Sequence, residues 1–380
     1  MVKAKKICSN RIVYGLFGYA VALAIQWALV PWNEIGPEMH RPYFATPFLM
    51  LLFGPYLLVP RDAWIGSGNG WWFLKVLPLY LVHLAFILGF LSRCERLNRG
   101  HVGRIVRWTM LALVACWSLA GIWYAVPVVE RLEIPLKESG AMTLEKGPVR
   151  LAVVADLHSC RYGDGQRGLV EMIDSQVPDI VLMVGDIFDD KLPDGPAREF
   201  VTEMVKRYPC VYVSGNHEFW SDRPAEMMQW LEQAGVAVLR SDCATYHLNG
   251  VAMDFCGVDD QAYMEIVWPD LIRKAWNRSD PSHYRVLLTH RPEQPHVYEQ
   301  FGFDLVLAGH AHGGQWRCPG LQRGVYSPDQ GCFPRYTDGF YMLSNGCPMV
   351  VSRGLGREST PIPRFFNHPH VLFVDLVADR

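Results

Sequence analysis

The sequence of 380 residues predicts an α/β domain preceded by a membrane-spanning helical region. Three observations carry that prediction. Uncharged apolar stretches long enough to span a bilayer crowd into the first 130 residues, the charge balance reverses there, and beyond Pro148 short β-rich runs alternate with segments of helical period.

Hydrophobic residues make up 50% of the chain and charged residues only 19%, which excludes extended disorder. Residues 1–130 hold 12 Lys/Arg against 5 Asp/Glu, and residues 131–380 hold 24 against 33, so the two parts carry +7 and −9. Eight of the 13 Trp also precede residue 131, as suits rings anchored at a membrane interface. The acidic second part gives no reason to expect a nucleic-acid partner.

The first region, 1–130, is read as about four spans. Ile12–Trp32 and Trp108–Val129 are uncharged for 21 and 22 residues, enough to cross a hydrocarbon core of about 30 Å as helices. Residues 43–60 and 76–92 supply two more, the former carrying Pro47 and Pro55, the latter with Lys75 placed to snorkel at its edge. Four stretches in succession argue against a cleaved signal peptide or a buried core helix. With the N-terminus inside, ten basic residues near the span ends face the cytoplasm and six face out, which favours a cytoplasmic C-terminal half of an integral membrane protein. If 43–60 does not cross, that half moves to the other side.

Residues 131–147 are expected to be a linker, and 148–380 the second domain. Val149–Ala155 reads as a strand, Gly165–Gln176 as a helix, Ile180–Val184 as a strand, Pro196–Arg207 as a helix led by Asp194, and Val211–Ser214 as a third strand. Successive βαβ units imply a buried sheet covered by helices. After a helix over Arg223–Ala234, Asn249-Gly250 marks a two-residue hairpin between Ala244–Leu248 and Val251–Gly257, which begins a second sheet. Tyr284–Thr289 and Asp304–Ala308 add strands, Asn345-Gly346 turns a further hairpin, and Val371–Val377 closes the chain as a strand. The ten Cys show no Cys-x-x-Cys pair, so reduced thiols are expected and a zinc ribbon or disulfide framework is not.

Five predicted strands end in the same kind of cluster: Asp156-Leu157-His158, Gly185-Asp186, Gly215-Asn216-His217-Glu218, Thr289-His290, and Gly309-His310-Ala311-His312. Ligand sites of open α/β sheets lie beyond the carboxyl ends of strands. Carboxylates with imidazoles and one amide suit divalent ions such as Mn, Fe, Zn or Ni, whereas an all-oxygen set would suit Mg or Ca. The spacing of Asp156 with His158, and of His310 with His312, puts alternate residues of an extended strand end on one side.

Taken together, these clusters resemble the signature of the calcineurin-like metallophosphoesterases over about residues 148–378. Gly309–Gln315, Ser352–Gly356 and Pro361–Phe366 resemble its membrane-associated branch, which includes YkuE, YaeI and the animal transmembrane protein with a metallophosphoesterase domain. The resemblance implies a four-layer α/β/β/α sandwich and two divalent metal ions. By the same resemblance Asp156, His158 and His312 hold one ion, Asn216, His290 and His310 hold the second, and Asp186 bridges them. It further implies a metal-bridging hydroxide as nucleophile and His217 as the group that protonates the leaving oxygen.

The expected activity is hydrolysis of a phosphodiester or pyrophosphate bond by a membrane-anchored enzyme. Some relatives cleave the pyrophosphate of UDP-diacylglucosamine, which makes a lipid-linked phosphorylated substrate one option. A nucleotide phosphodiesterase, nuclease or protein phosphatase localised to the membrane is the alternative, and a non-enzymatic sensor or scaffold has no need of seven ligands and His217. Arg161, Arg291 and Arg353 adjoin the motifs and could grip phosphate oxygens. His247, His283, His296, His368 and His370 lie away from the clusters and receive no role. The run Trp316–Pro334, rich in Gly, Pro and Arg, is either a loop over the site or an irregular connection.

Overall fold

The structure is a computed structural model that describes residues 126–136, 144–145, 147–264, 267–317, 324–357 and 364–378, with His101, Arg104, Ile105, Trp108, Thr109 and Ala112. Nearly all of the four expected spans fall outside these residues. Among the described residues no helix is long and apolar enough to cross a membrane. Residues 124–359 and 364–380 form one compact unit.

Two mixed six-stranded sheets build that unit. The first has the order β1 (Val128–Leu136), β14 (His370–Ala378), β2 (Val149–Val154), β3 (Ile180–Val184), β4 (Cys210–Val213), β5 (Ala237–Val238). The second runs β12 (Gly339–Met342), β13 (Pro348–Val351), β9 (Leu305–Ala308), β8 (Tyr284–Leu288), β7 (Val251–Gly257), β6 (Asp242–Leu248). β2, β3 and β4 are mutually parallel, as are β7, β8 and β9, so their carboxyl ends point one way within each sheet.

Side-chain alternation along each strand produces the layers. Leu151, Val153, Leu182, Val184, Val211 and Val213 of the first sheet share one apolar core with Met253, Phe255, Val286, Leu288, Leu305 and Leu307 of the second. The alternate residues Ala152, Val154, Val181, Met183 and Tyr212 face helices α1 (Arg167–Asp174), α2 (Gly195–Val205) and α4 (Pro224–Ala234) through Leu169, Ile173, Phe200, Met204 and Leu231. Cys256, Leu287, Val306 and Val351 face α6 (Trp268–Trp276) and α7 (Pro295–Tyr298) through Ile272, Ala275, Val297 and Tyr298. The short α3 (Asn216–Trp220) and α5 (Gln261–Met264) complete the helices described.

Three local readings are corrected. Residues Val128–Leu136, expected as the end of a span and the start of a linker, form the parallel edge partner of β14. Ile134 and Leu136 alternate inward between exposed Glu133 and Pro135, a period of two that the flanking apolar stretch obscured. Asp194 does not cap α2 with its side chain; its carboxylate is held by Arg223 at 3.0 Å and Arg198 at 3.3 Å. Cys243 and Cys256, directly opposite each other on β6 and β7, are disulfide-bonded rather than reduced, a pairing that 13 residues of separation concealed. The turns came through as read: Asn249 (φ 47°) and Gly250 (φ 86°) both take the left-handed conformation of a two-residue hairpin.

Candidate metal centre

The five clusters leave the carboxyl ends of β2, β3, β4, β8 and β9 and converge. Backbone N–H groups of Asp156, His158 and Ser159 donate to the carbonyls of Gly185, Asp186 and Ile187 at 2.9–3.0 Å, which locks the loop after β2 to the loop after β3. The aim of the side chains comes from these loops and not from strand alternation. Asp156, His158, Asp186, His310 and His312 all have positive φ, between 47° and 64°. Non-glycine residues held there cost free energy, and such outliers gather at functional sites.

Two glycines make the close approach possible. A Cβ on Gly215 would lie 2.2 Å from Asp186 Oδ1, and one on Gly185 would lie 2.3 Å from His290 Nδ1.

Potential donor atoms of Asp156, His158 and His312 lie within 4.8 Å of one another, and so do those of Asp186, His290 and His310. Between the sets, Asp186 Oδ2 is 3.1 Å from His290 Nε2 and 3.7 Å from His158 Nε2. His290 Nε2 is 3.9 Å from Asp156 Oδ1 and 3.2 Å from His310 Nδ1. His290 Nδ1 donates to the Val184 carbonyl at 2.9 Å, so in the neutral ring Nε2 keeps its lone pair.

His158 Nε2 and Asn216 Oδ1 are buried without a hydrogen-bond partner, and the buried Asp186 Oδ2 faces the imidazoles of His290 at 3.1 Å and His158 at 3.7 Å. Desolvating such atoms unpaired is costly. A cation among them would satisfy all three, and the imidazole, carboxylate and amide donors fit a divalent ion of intermediate softness.

The electrostatics point the same way. Burial alone would raise the Asp186 carboxyl, but the imidazoles of His290 and His217 hold it well below its usual range. Against burial, Asp186 pushes His290 up to about 10. Asp186, Asp190 and Asp189 likewise push His217 up to about 9. Asp186, with Asp189 and Asp190, therefore favours positive charge on the imidazoles around it. His310 is pushed down to about 4 by burial and by the Arg291 guanidinium.

His217 lies at the edge of the cluster with its side chain 18% exposed. Its Nδ1 donates to Asp190 Oδ1 at 2.7 Å, with Asp189 Oδ2 at 3.7 Å, which leaves Nε2 facing Asp186 Oδ2 at 4.0 Å. Its backbone N–H donates to Asp186 Oδ1 at 2.9 Å. Glu218 is buried and accepts from the N–H groups of Gly215, Phe188 and Asp186 at 2.8, 3.0 and 3.1 Å, tying the loops after β3 and β4 together.

Seven of the eight residues singled out from the sequence are thus brought together by these contacts, and Asn216, which opens α3 between Gly215 and His217, adds a buried amide oxygen. The three arginines are held by carboxylates, and of them Arg291 also reaches the site, with Nη1 3.0 Å from His310 Nε2. Arg161 pairs with Glu199 at 2.9 Å, Arg291 with Asp260 at 2.6 and 2.9 Å, and Arg353 with Glu130 at 2.5 Å.

Several neighbours were not foreseen. Asp189 and Asp190 follow Asp186 closely, which is the signal that could have found them. Arg364, fully buried, has Nη2 3.0 Å from His312 Nδ1. A neutral His312 then carries its proton on Nε2, 3.5 Å from Asp156 Oδ1, and a cation bound there has to displace that proton. Asp329, from the run 316–334, comes within 2.8 Å of His310 Nε2, so part of that run does lie over the site. Of the histidines given no role, His370 is buried and joins Glu130 at 3.2 Å to Ser352 Oγ at 3.1 Å.

Comparison with known proteins bears on the same residues. The calcineurin-like phosphoesterase family matches residues 149–314, a stretch that holds all eight. Residues 149–314 are a calcineurin-like phosphoesterase domain. It is the domain of a hydrolase acting on phosphoric esters, and several relatives are named metallophosphoesterases. Over 219 residues the chain is 29% identical to YpbG of Bacillus subtilis, covering 57% of this chain and 77% of that protein. It is 27% identical over 237 residues to a metallophosphoesterase of Helicobacter pylori, covering 60% of each. It is 26% identical over 348 residues to the transmembrane protein with metallophosphoesterase domain of Danio rerio, covering 83% of this chain and 76% of that one.

Proposed function

We propose that this metallophosphoesterase is a dinuclear phosphohydrolase that cleaves a phosphodiester or pyrophosphate bond. The observation that carries the reading is the pair of donor sets linked through Asp186, which belongs to one and has Oδ2 3.7 Å from His158 Nε2 of the other, with His158 Nε2 and Asn216 Oδ1 buried without a hydrogen bond. Asp156, His158 and His312 would hold one ion, Asn216, His290 and His310 the other, with Asp186 shared. Mn, Fe, Zn and Ni all suit these donors. Two divalent ions in such a clamp supply a nucleophilic water at neutral pH and offset charge on the phosphoryl oxygens.

The chain's own residues do the remaining work. Asp190 takes the Nδ1 proton of His217, so Nε2 is the nitrogen turned towards the centre. The protonated ring would deliver its Nε2 proton to the departing oxygen, leaving the neutral imidazole with Nδ1–H still on Asp190. Arg161 and Arg353 are occupied by Glu199 and Glu130, and Arg291 reaches the centre only through Nη1 at His310, so the preference for a diester or pyrophosphate over a monoester is left to the assay.

Membrane anchorage and a lipid-linked substrate belong to this proposal and rest on the apolar N-terminal stretches; a cytoplasmic domain rests on the basic residues near their ends, and the Cys243–Cys256 disulfide, which suits an oxidising compartment, speaks against it. Similarity to the Danio rerio transmembrane protein supports the anchorage, because 83% of the chain is more than residues 148–380 can supply and must include part of the N-terminal region. The test is turnover of an aryl phosphodiester and the matching monoester by the full-length protein with Mn added or chelated. The proposal expects Mn-dependent turnover with the diester preferred; Mn-independent turnover, or a preference for the monoester, overturns it.

A further inference from the structure

β10 (Tyr326–Ser327) and β11 (Gly331–Cys332) form a two-stranded ribbon beyond residue 314, where the family match ends. Pro328, Asp329 and Gln330 make its tip, and Asp329 is held there in the left-handed conformation with φ 57°. The tip places the Asp329 carboxylate, whose side chain is 50% exposed, with Oδ2 2.8 Å from His310 Nε2. Arg291 Nη1 lies 3.0 Å from the same nitrogen. Arg291 is fixed from behind, because Asp260 takes its Nε and Nη2 at 2.6 and 2.9 Å.

The two neighbours of Nε2 make opposite demands. A guanidinium can only donate and an ionised carboxylate can only accept. Arg291 favours a bare Nε2, which puts the proton of the neutral ring on Nδ1. Asp329 favours a protonated Nε2, which leaves Nδ1 with its lone pair. Nδ1 is the nitrogen turned towards the centre, 3.2 Å from His290 Nε2, and only the second tautomer lets it hold a cation. Asp329 also accepts from Arg291 Nη1 itself.

We propose that Asp329 is a positioning residue that selects the Nε2–H tautomer of His310 against Arg291 and so keeps Nδ1 open to a cation. This rests on the reading of Asp186, His290 and His310 as one ligand set. Carboxylates that orient metal-binding histidines in this way typically change metal affinity 10–100-fold when removed.

The test uses the full-length protein labelled with 15N-histidine, free of metal, with His310→Gln to assign the His310 signals, followed by Mn titration read from the paramagnetic signal of free Mn. Asp329→Ala is expected to move His310 from the Nε2–H to the Nδ1–H pattern and to weaken one of two Mn affinities about 10–100-fold. Because Asp329 is half exposed, the melting temperature of the metal-free protein should stay within about 1–2 °C of the parent. Asp329→Asn, whose carbonyl oxygen can still accept from Nε2–H, should recover part of the loss. An unchanged tautomer with both affinities intact overturns the proposal, as does equal weakening of both together with a lower melting temperature. A parent protein that binds fewer than two Mn ions overturns instead the ligand reading beneath it.

Discussion

Gly215→Ala is the sharpest steric perturbation of the site. The backbone of Gly215, at φ −112° and ψ −173°, accepts alanine without strain, so any effect comes from the added methyl group. That methyl would sit 2.2 Å from Asp186 Oδ1 and 2.6 Å from the Asp186 backbone nitrogen, where ordinary contact begins at 3.4 Å. Asp186 has to retreat by about 1 Å. Overpacking of this kind costs about 1–3 kcal/mol, and at about 2–4 °C per kcal/mol for a domain of this size the melting temperature falls by about 2–12 °C. A 1 Å misplacement of a reacting constellation costs about 100-fold in rate, and under the proposed reading both ions depend on Asp186, so loss of Mn-dependent kcat/KM should reach at least that. Gly195→Ala is the matched control, since nothing lies within 4 Å of its Cβ. Differential scanning calorimetry and diester turnover read both variants. Indistinguishable Gly215→Ala and Gly195→Ala proteins would refute the packing of the β4 loop on Asp186.

His217→Ala should lower kcat about 100- to 10,000-fold while both metal ions are retained, because its Nε2 lies 4.0 Å from Asp186 Oδ2 at the rim of the cluster; parallel loss of metal content contradicts a proton-donor role. Asp190→Asn should narrow the activity towards low pH, because loss of the carboxylate lets His217 lose its proton earlier, and kcat should fall more than KM rises; an unchanged profile contradicts the pairing. In the folded protein the His370 side chain, then Arg353, holds the Glu130 carboxyl at about 2, against 4.5 in the unfolded chain. That stability is present above pH 4.5 and disappears as the pH falls towards 2. Discounted for partial exposure it is about 1–2 kcal/mol. Glu130→Gln should therefore melt lower than the parent at pH 6 and match it near pH 2; a constant difference across that range removes the pairing.

The candidate centre was legible because its donors are rare residue types at strand ends, and a strand end is fixed by a short apolar run such as Ile180–Val184 followed by Gly185-Asp186. The hairpin at Asn249-Gly250 was legible for a similar reason, since two adjacent left-handed residues have few substitutes. What sequence could not show is which loops close over the centre. Asp329 and Arg364 reach His310 and His312 from segments more than ten residues downstream, without periodicity, and contact is decided by how those segments pack. β1 escaped for another reason: its partner β14 lies some 240 residues away, and the alternation in Leu132-Glu133-Ile134-Pro135-Leu136 follows directly on an apolar stretch. The carboxylates that hold the arginines beside the motifs, Glu199, Asp260 and Glu130, come from distant elements and gave no signal in sequence.

The most direct test of the central claim is the number of Mn ions bound per full-length chain, measured for the parent and for Asp186→Asn after removal of unbound metal. A centre joined by Asp186 predicts two ions per parent chain, and loss or weakening of both in the variant, along with turnover. One ion per parent chain, or a variant that still binds two with unchanged affinity, would contradict it.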